Sequence, residues 1–162
     1  MRIGLWSDMH WHAWPRYSHV TSSGFNSRLL VQADLCMEMA SSMASRGVEV
    51  RAFLGDWYHI SNPPAQVVDR ATVAANRFYQ EDLEEIFLVG NHDMEKLSTG
   101  IHALRYLSSF GNLVLHSYRD TFRNIHAHNY TEDVDELRGF LYGCPKDAVV
   151  FLHQGVAGAP GS

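Results

Sequence analysis

The stretch EIFLVGNHD, at positions 85–93, decides how this chain is organised. Residues 85–89 form a short, mostly apolar run, and the residues that follow, Gly90-Asn91-His92-Asp93, are small or polar. A short apolar run that stops at polar residues is typical of a buried strand that ends at a loop. We therefore predict a strand over 85–89 whose carboxyl end presents amide, imidazole and carboxylate groups.

The same pattern recurs along the chain. Three further apolar runs each stop at a polar residue: 2–7 (RIGLWS) at Asp8, 48–54 (VEVRAFL) at Gly55-Asp56, and 149–152 at His153. Between them, amphipathic stretches predict helices from Asn26 or Ser27 to about residue 46 and from Pro63 or Pro64 to about residue 80. Strands that alternate with helices indicate an α/β fold with a mainly parallel sheet.

The second half of the chain has weaker patterns. Residues 102–108 predict a short helix, and residues 112–116 and 121–128 predict strands. The closing residues 155–162 are rich in Gly, Ala, Pro and Ser, a composition that favours a tail or a truncation point over a packed element. We therefore expect a single domain over residues 1–154.

Length and composition are those of an ordinary globular domain. The chain has 162 residues, of which 46% are hydrophobic and 19% are charged, so it carries enough apolar surface to fold. The net charge of -5 gives no general attraction to nucleic acid, so contact with DNA requires a local patch or bound cations. Two cysteines, Cys36 and Cys144, and the lack of a long apolar segment favour a cytoplasmic protein without a membrane span.

Polar side chains follow the carboxyl ends of the four main predicted strands: Asp8, Asp56, Asn91 and His153. Ligands collect at this edge of a parallel sheet, so we expect these side chains to converge. Carboxylate, imidazole and amide groups suit manganese, iron or zinc, with magnesium as a further choice, rather than calcium. A carboxylate shared by two ions holds them about 3.5–4 Å apart, the spacing that clamps a phosphoryl group. The pattern therefore predicts two divalent ions and phosphoester hydrolysis.

These residues also carry a resemblance to a known family. Four blocks resemble, in order and spacing, the D-x-H, GD, GNHD and H blocks of calcineurin-like metallophosphoesterases: Asp8-Met9-His10, Gly55-Asp56, Gly90-Asn91-His92-Asp93 and His153. Two longer segments are similar to those of SbcD-type DNA repair and recombination nucleases: residues 55–59 (GDWYH) with the prolines that follow, and residues 151–155 (FLHQG). The resemblance implies a four-layer β-sandwich flanked by helices.

The resemblance assigns a role to each ligand. Asp8 and His10 would bind the first metal ion, Asp56 would bridge both ions, and Asn91 and His153 would bind the second. A hydroxide held between the ions would then attack phosphorus. Manganese is the metal that we expect first, and DNA is the expected substrate of an exonuclease or endonuclease subunit that has an SbcC-like ATPase partner.

Three further residues receive roles from the same resemblance. His92 is not a ligand in the family pattern; it would assist the leaving oxygen, and Asp93 would orient it. His59 would contact the substrate phosphate. The loop after the first block carries His12, His19 and the aromatic residues Trp11, Trp14 and Tyr17, which would either stack on exposed bases or form an ordinary packed loop.

One block of the family is missing from this sequence. The family pattern has a Gly-His-x-His block after the equivalent of His153, whereas the only similar spacing, His126-Ala127-His128, comes before it and lacks the glycine. We therefore expect a domain that is incomplete at its C-terminal end, and a homodimer or a complementary fragment that completes it. Two alternative functions stay open, a small-molecule phosphatase or cyclic-nucleotide phosphodiesterase, and a non-catalytic fragment that needs a partner chain.

Overall fold

A computed structural model describes residues 1–79, 84–96, 101–108 and 117–155. The elements in chain order are β1 (Ile3–Trp6), α1 (Ser27–Ser45), β2 (Val50–Phe53), α2 (Ala65–Tyr79), β3 (Glu84–Phe87), a 3₁₀ turn (Asn91–Asp93), β4 (Met94–Lys96), β5 (Ile101–His102), α3 (Arg105–Ser108), β6 (Ser117–Asp120), β7 (Ile125–His128), α4 (Val134–Tyr142) and β8 (Val149–Leu152). Within these ranges, no helix combines the length and the apolar character that crossing a membrane requires. The mixed α/β class expected from the sequence is confirmed at this level.

The first sheet has the order β1-β2-β3, and its strands are all parallel. Ile3 lies opposite Val50, which in turn lies opposite Glu84, so the three strands end at the same edge. Helix α1 begins where the sequence predicts, because the side chain of Asn26 accepts hydrogen bonds from the backbone N–H groups of Arg28 and Leu29. This sheet positions the loops that carry the polar blocks.

The two faces of the first sheet belong to different apolar clusters. One cluster combines residues of β1, β2 and β3 with residues of the long helices: Trp6, Phe53 and Phe87 with Leu29, Cys36, Ala40, Val67, Ala71, Ala74 and Ala75. The other combines the opposite face with the second sheet: Val50, Ala52, Ile86 and Leu88 with Ile125, Ala127 and Phe151. Because side chains alternate along a strand, β2 and β3 contribute to both clusters and are buried on both faces, whereas β1 leaves Leu5 exposed.

The second sheet has the order β6-β7-β8 and is mixed, whereas the first sheet is parallel as the sequence predicts. Strands β6 and β7 are antiparallel, with Ser117 opposite His128, whereas β7 and β8 are parallel. The strand predicted over residues 121–128 starts only at Ile125, because residues 121–124 form the turn that reverses the chain. Asp120 fixes this turn by accepting hydrogen bonds from the backbone N–H groups of Phe122 and Arg123.

Other predicted elements changed or lie outside the described residues. The helix expected over 102–108 is helical only from Arg105, because Ile101–His102 pairs with Met94–Lys96 as a small antiparallel ladder. The sequence does not predict helix α4. Its N-terminus is capped by Asp133, whose side chain accepts hydrogen bonds from the backbone N–H groups of Asp135 and Glu136. The strand predicted over 112–116 and nearly all of the predicted tail, residues 156–162, lie outside the described residues.

A buried ion pair links two strands of the first sheet. Arg51 in β2 lies opposite Glu85 in β3, and Nη2 of the arginine is 2.8 Å from Oε1 of the glutamate. Both side chains are almost fully buried, at 1% and 5% exposure. Removing one partner of such a pair leaves a buried charge and costs about 3–5 kcal/mol. The pair is therefore a sensitive probe of how tightly this sheet is packed.

Candidate metal centre

The loops after β1 and β2 run side by side and extend the parallel ladder past the strand ends. The backbone N–H of Asp8 donates to the carbonyl of Gly55 at 3.1 Å, and that of His10 donates to the carbonyl of Asp56 at 3.0 Å. The N–H of Trp11 donates in the same way to the carbonyl of Trp57 at 2.8 Å. These bonds place the first polar block directly beside the second.

Three residues of these loops have a left-handed backbone conformation that non-glycine residues rarely adopt. The φ angles are 56° at Asp8, 45° at His10 and 59° at Asp56. Such conformations cost about 1–3 kcal/mol each and persist only where the surroundings enforce them, which is most common at functional sites. Here the hydrogen bonds between the two loops hold the backbone in this conformation. Part of the folding free energy therefore offsets the strain that orients these side chains.

The predicted ligands converge. His10 Nε2 lies 3.7 Å from Asp8 Oδ1 and 3.8 Å from Asp56 Oδ2. On the other side, His153 Nε2 lies 3.5 Å from Asp56 Oδ1 and 3.1 Å from Asn91 Oδ1. The two carboxylate oxygens of Asp56 thus face different histidines, and the five side chains form one continuous cluster.

Two glycines make this close approach possible. A side chain at Gly90 would collide with the carboxylate and the backbone nitrogen of Asp56. A side chain at Gly55, where φ is +106°, would collide with the ring of His153. Only a residue without a Cβ fits at either position, and this is the physical reason for a glycine at the start of each block.

The protonation of His153 follows from its two ring contacts. Its Nδ1 lies 2.7 Å from the carbonyl oxygen of Leu54 and therefore carries a proton, while Nε2 faces the oxygens of Asp56 and Asn91. Burial lowers the pKa of His153, but the hydrogen bond and the charge of Asp56 outweigh it, so the pKa is raised. A metal ion at Nε2 would take the place of the second proton, because ligand nitrogens must be deprotonated.

The carboxyl group of Asp56 stays ionised although it is buried. Burial alone would raise its pKa, but the hydrogen bonds from the His153 ring and from the backbone N–H of His92 lower it below the ordinary value. The N–H of His92 lies 3.0 Å from Asp56 Oδ1. An ionised carboxylate with its two oxygens directed to opposite sides is the form that a bridging ligand requires.

His92 and His59 lie together next to the ligand cluster. Nδ1 of His92 lies 2.8 Å from the carbonyl oxygen of His59, and the two rings are stacked with centroids 5.5 Å apart. Burial and the neighbouring imidazoles of His12 and His10 lower the pKa of His59. The structure therefore places both residues near the cluster, at the edge where the sequence predicts the substrate.

Asp93 does not contact the His92 ring, so any orienting effect on this histidine runs through the backbone that Asp93 binds. Its carboxylate accepts hydrogen bonds from the backbone N–H groups of Trp57, Tyr58 and Gly90, at 3.2, 2.8 and 3.0 Å. Asp93 is fully buried, and burial raises its pKa to about 7 although these bonds lower it. It fixes the loop that carries His59, and the carbonyl of His59 is what orients His92.

The aromatic loop after the first block is only partly accessible. Trp11 is fully buried in the core below the site, so stacking of this residue on a base is excluded. Trp14 is half-buried, with its ring 4.5 Å from His59 and 4.7 Å from His12, and Tyr17 is exposed. His19 is also exposed and belongs to none of the ring contacts found among the described residues.

The site also contains residues that the sequence analysis missed. A cleft of 330 Å³ is lined by Asp8, Asn91 and His153, and also by Tyr130 and Gln154. The backbone N–H of Tyr130 donates to the carbonyl of Val89, which ties the second sheet to the end of β3. No sequence pattern marks Tyr130, because its position depends on the pairing of a different sheet. A larger cavity of 650 Å³ lies beside Asn62 and His102 and is lined by none of the predicted ligands.

The donor set fits a divalent ion. Asp8, His10 and Asp56 each offer an atom within 4.8 Å of the others. Nδ1 of His10 is buried without a hydrogen-bond partner among the described residues, and Nε2 faces the two carboxylates. Mixed carboxylate and imidazole ligands suit manganese, iron or zinc. In comparisons with known proteins, no protein-family model and no curated protein matches this sequence.

Proposed function

We propose that this protein is a metal-dependent phosphodiesterase of the calcineurin-like type that acts on DNA. A single observation carries the proposal: Asp8, His10, Asp56, Asn91 and His153 converge, and Asp56 directs one oxygen to each side. Two divalent ions held by these residues would supply an activated water and positive charge for the phosphate oxygens. Manganese is the proposed metal, and iron, zinc and magnesium are its alternatives.

His92 and His59 would contact the substrate in this proposal. Because Nδ1 of His92 is tied to the carbonyl of His59, its other nitrogen, Nε2, is the atom left to donate a proton to the leaving oxygen. His59 would contact the phosphate from the neighbouring position. Asp93 is a positioning residue in this scheme, since its buried carboxylate holds the backbone that carries both rings.

The fold is part of the same proposal. We propose a four-layer arrangement in which the helices α1 and α2, the two sheets and helix α4 stack in that order. Its support is the pair of apolar clusters on the two faces of the first sheet, together with the contact between His128 in β7 and Phe140 in α4, whose rings are 4.8 Å apart. We also propose a cytoplasmic location and an ATPase partner, and the family resemblance is the only support for the partner.

A second candidate function has one observation in its favour. The formal net charge of -5 gives no long-range attraction for a polyanion, which favours a small phosphomonoester or cyclic nucleotide over DNA. The two functions use the same ions and the same nucleophile. They differ in the substrate that reaches the site, so a direct comparison of substrates separates them.

The test compares linear duplex DNA with para-nitrophenyl phosphate esters in the presence of Mn²⁺. We expect cleavage of DNA that EDTA abolishes and that Asp56→Asn reduces at least about 100-fold, since even indirect loss of ligand support costs 10–100-fold. Asp69→Asn is the matched control, because Asp69 is an exposed carboxylate on α2 paired only with its neighbour Arg70 among the described residues. Hydrolysis of the small esters without DNA cleavage would select the second function, and no hydrolysis of either would refute both.

A further inference from the structure

Three histidine rings meet beside the carboxylate cluster. His10, His59 and His92 each offer a ring nitrogen within 4.8 Å of the other two, and all three residues are half-buried. The ring centroids are 4.8 Å apart for His10 and His92, 5.4 Å for His10 and His59, and 5.5 Å for His59 and His92. His10 is also part of the carboxylate set with Asp8 and Asp56, so two possible ligand sets share one residue.

The ring spacing agrees with what a single tetrahedral ion requires. A zinc ion about 2.1 Å from an imidazole nitrogen lies about 3.2 Å from the centroid of that ring. Two such rings at a tetrahedral angle then have centroids about 5.2 Å apart. The three observed separations, 4.8, 5.4 and 5.5 Å, lie on both sides of this value. The three rings are therefore close enough to share one ion, provided that the His59 ring turns out of its near-parallel arrangement with His92.

The remaining ring atoms also suit a ligand role. Nδ1 of His92 is 2.8 Å from a backbone carbonyl oxygen, the contact that usually fixes a metal-binding histidine and leaves Nε2 for the ion. Nδ1 of His59 is buried and has no hydrogen-bond partner among the described residues. Buried polar atoms are rarely left unused, so this nitrogen can take a ligand. Competition between the two sets requires that His10 use Nε2, the nitrogen that faces Asp8 and Asp56.

The chemistry of the two sets differs. Three imidazoles favour zinc, copper or nickel, whereas carboxylates with one imidazole accept manganese and magnesium more readily. Affinity rises from manganese to the later metals at nitrogen and oxygen sites alike, so the ligand type is what distinguishes the two sets. An ion that prefers nitrogen ligands should therefore bind preferentially to the three histidines, and an ion that prefers oxygen ligands should bind preferentially to the carboxylates.

We propose that His10, His59 and His92 form a second site that takes zinc in preference to manganese and competes with the first manganese position for His10. Zinc at this site removes a ligand from manganese and occupies the ring nitrogen that His92 would otherwise present to the leaving oxygen. The inhibitory consequence rests on the proposed function, whereas the existence of the site and its competition with manganese do not depend on any activity.

The test measures metal binding to the metal-free 162-residue chain and to two variants that damage one set each. His59→Gln removes a ligand from the histidine set alone, and Asp8→Asn removes one from the carboxylate set alone. Calorimetry gives the zinc affinity and the manganese affinity of each protein, and electron paramagnetic resonance gives the manganese released by zinc. His19→Gln, an exposed histidine in the neighbouring loop, is the control.

We expect His59→Gln to weaken zinc binding at least about ten-fold while it leaves manganese binding nearly unchanged, and Asp8→Asn to do the reverse. One equivalent of zinc should release one equivalent of manganese from the wild-type protein. Equal zinc affinity in His59→Gln and wild type would overturn the proposal, as would zinc binding without manganese release. If the wild-type protein binds no manganese, the proposed function fails, but the zinc comparison between His59→Gln and His19→Gln still decides this inference.

Discussion

Replacing Gly90 by alanine tests the closest contact in the candidate metal centre. The added methyl carbon would lie 2.9 Å from Cγ of Asp56 and closer still to Oδ1 and the backbone nitrogen of that residue. Asp56 cannot retreat easily, because its φ angle of 59° is enforced by the paired loops. Overfilling a packed site costs about 1–3 kcal/mol. A domain of this size loses about 2–4 °C per kcal/mol, so Gly90→Ala should melt roughly 2–12 °C below wild type.

The assay is thermal unfolding of the metal-free protein, followed by a Mn²⁺ titration of the same samples. Displacement of the Asp56 carboxylate should also weaken manganese binding, because its two oxygens would no longer face His10 and His153. Gly139→Ala is the matched control, since a methyl group there meets nothing within 4 Å and should stabilise helix α4 by about 0.5–1 kcal/mol. A Gly90→Ala protein with wild-type melting temperature and manganese affinity would refute the packing described here.

Three further predictions probe parts of the fold outside the metal centre. Glu85→Ala should lower the free energy of unfolding in urea by about 3–5 kcal/mol, because it removes the carboxylate that forms an ion pair with the buried guanidinium of Arg51. Cys36 is fully buried and burial raises its pKa, so it should resist alkylation in the folded protein while the half-buried Cys144 reacts; mass spectrometry of the labelled peptides reads this out. The pKa of Asp120 is held below its ordinary value of 3.8 by hydrogen bonds from the backbone N–H and the side chain of Arg123. The stability that Asp120 contributes is thus complete above that value and lost as pH falls through the lower folded-state pKa, which a carboxyl NMR titration checks; a folded-state pKa at or above the ordinary value would contradict it.

The sequence predicts the first sheet and the convergence of the polar residues well, and the reason is local. Strands β2 and β3 are buried on both faces and β1 mainly on one, so each reads as an apolar run that stops where the chain leaves the sheet. Parallel pairing then places the ends of β1, β2 and β3 at one edge, which brings Asp8, Asp56 and Asn91 together. His153 joins them from the second sheet, a position that the apolar run before it indicates.

Other features depend on contacts that no local pattern encodes. The mixed second sheet was missed because the turn at residues 121–124 interrupts what reads as one continuous strand. Asp93 follows His92 directly in sequence, yet its carboxylate points into the core and binds the backbone of the loop after β2. Trp11 is buried for a similar reason, since its backbone pairs with that same loop and turns the ring inward.

Helix α4 shows that a missed element can still have a local signal. Asp133 has the position and the side chain of an N-cap, and the two residues after Val134 are acidic, as favoured in the first turn of a helix. The helix is only nine residues long and its buried face is narrow, with Phe140 as its one buried residue. The capping pattern is therefore present in the sequence, but the helix is short and three of its large apolar residues, Val134, Leu141 and Tyr142, are exposed.

The most direct measurement is the number of Mn²⁺ ions that the metal-free chain binds, determined together with the magnetic coupling between them. If Asp56 bridges two ions, they lie about 3.5–4 Å apart and give a spin-coupled resonance that disappears in Asp56→Asn. We predict two manganese ions per chain with this coupled signal. Binding of manganese ions without magnetic coupling between them would contradict the proposal that the Asp56 carboxylate holds a pair of cations. A coupled signal that persists in Asp56→Asn would contradict it as well.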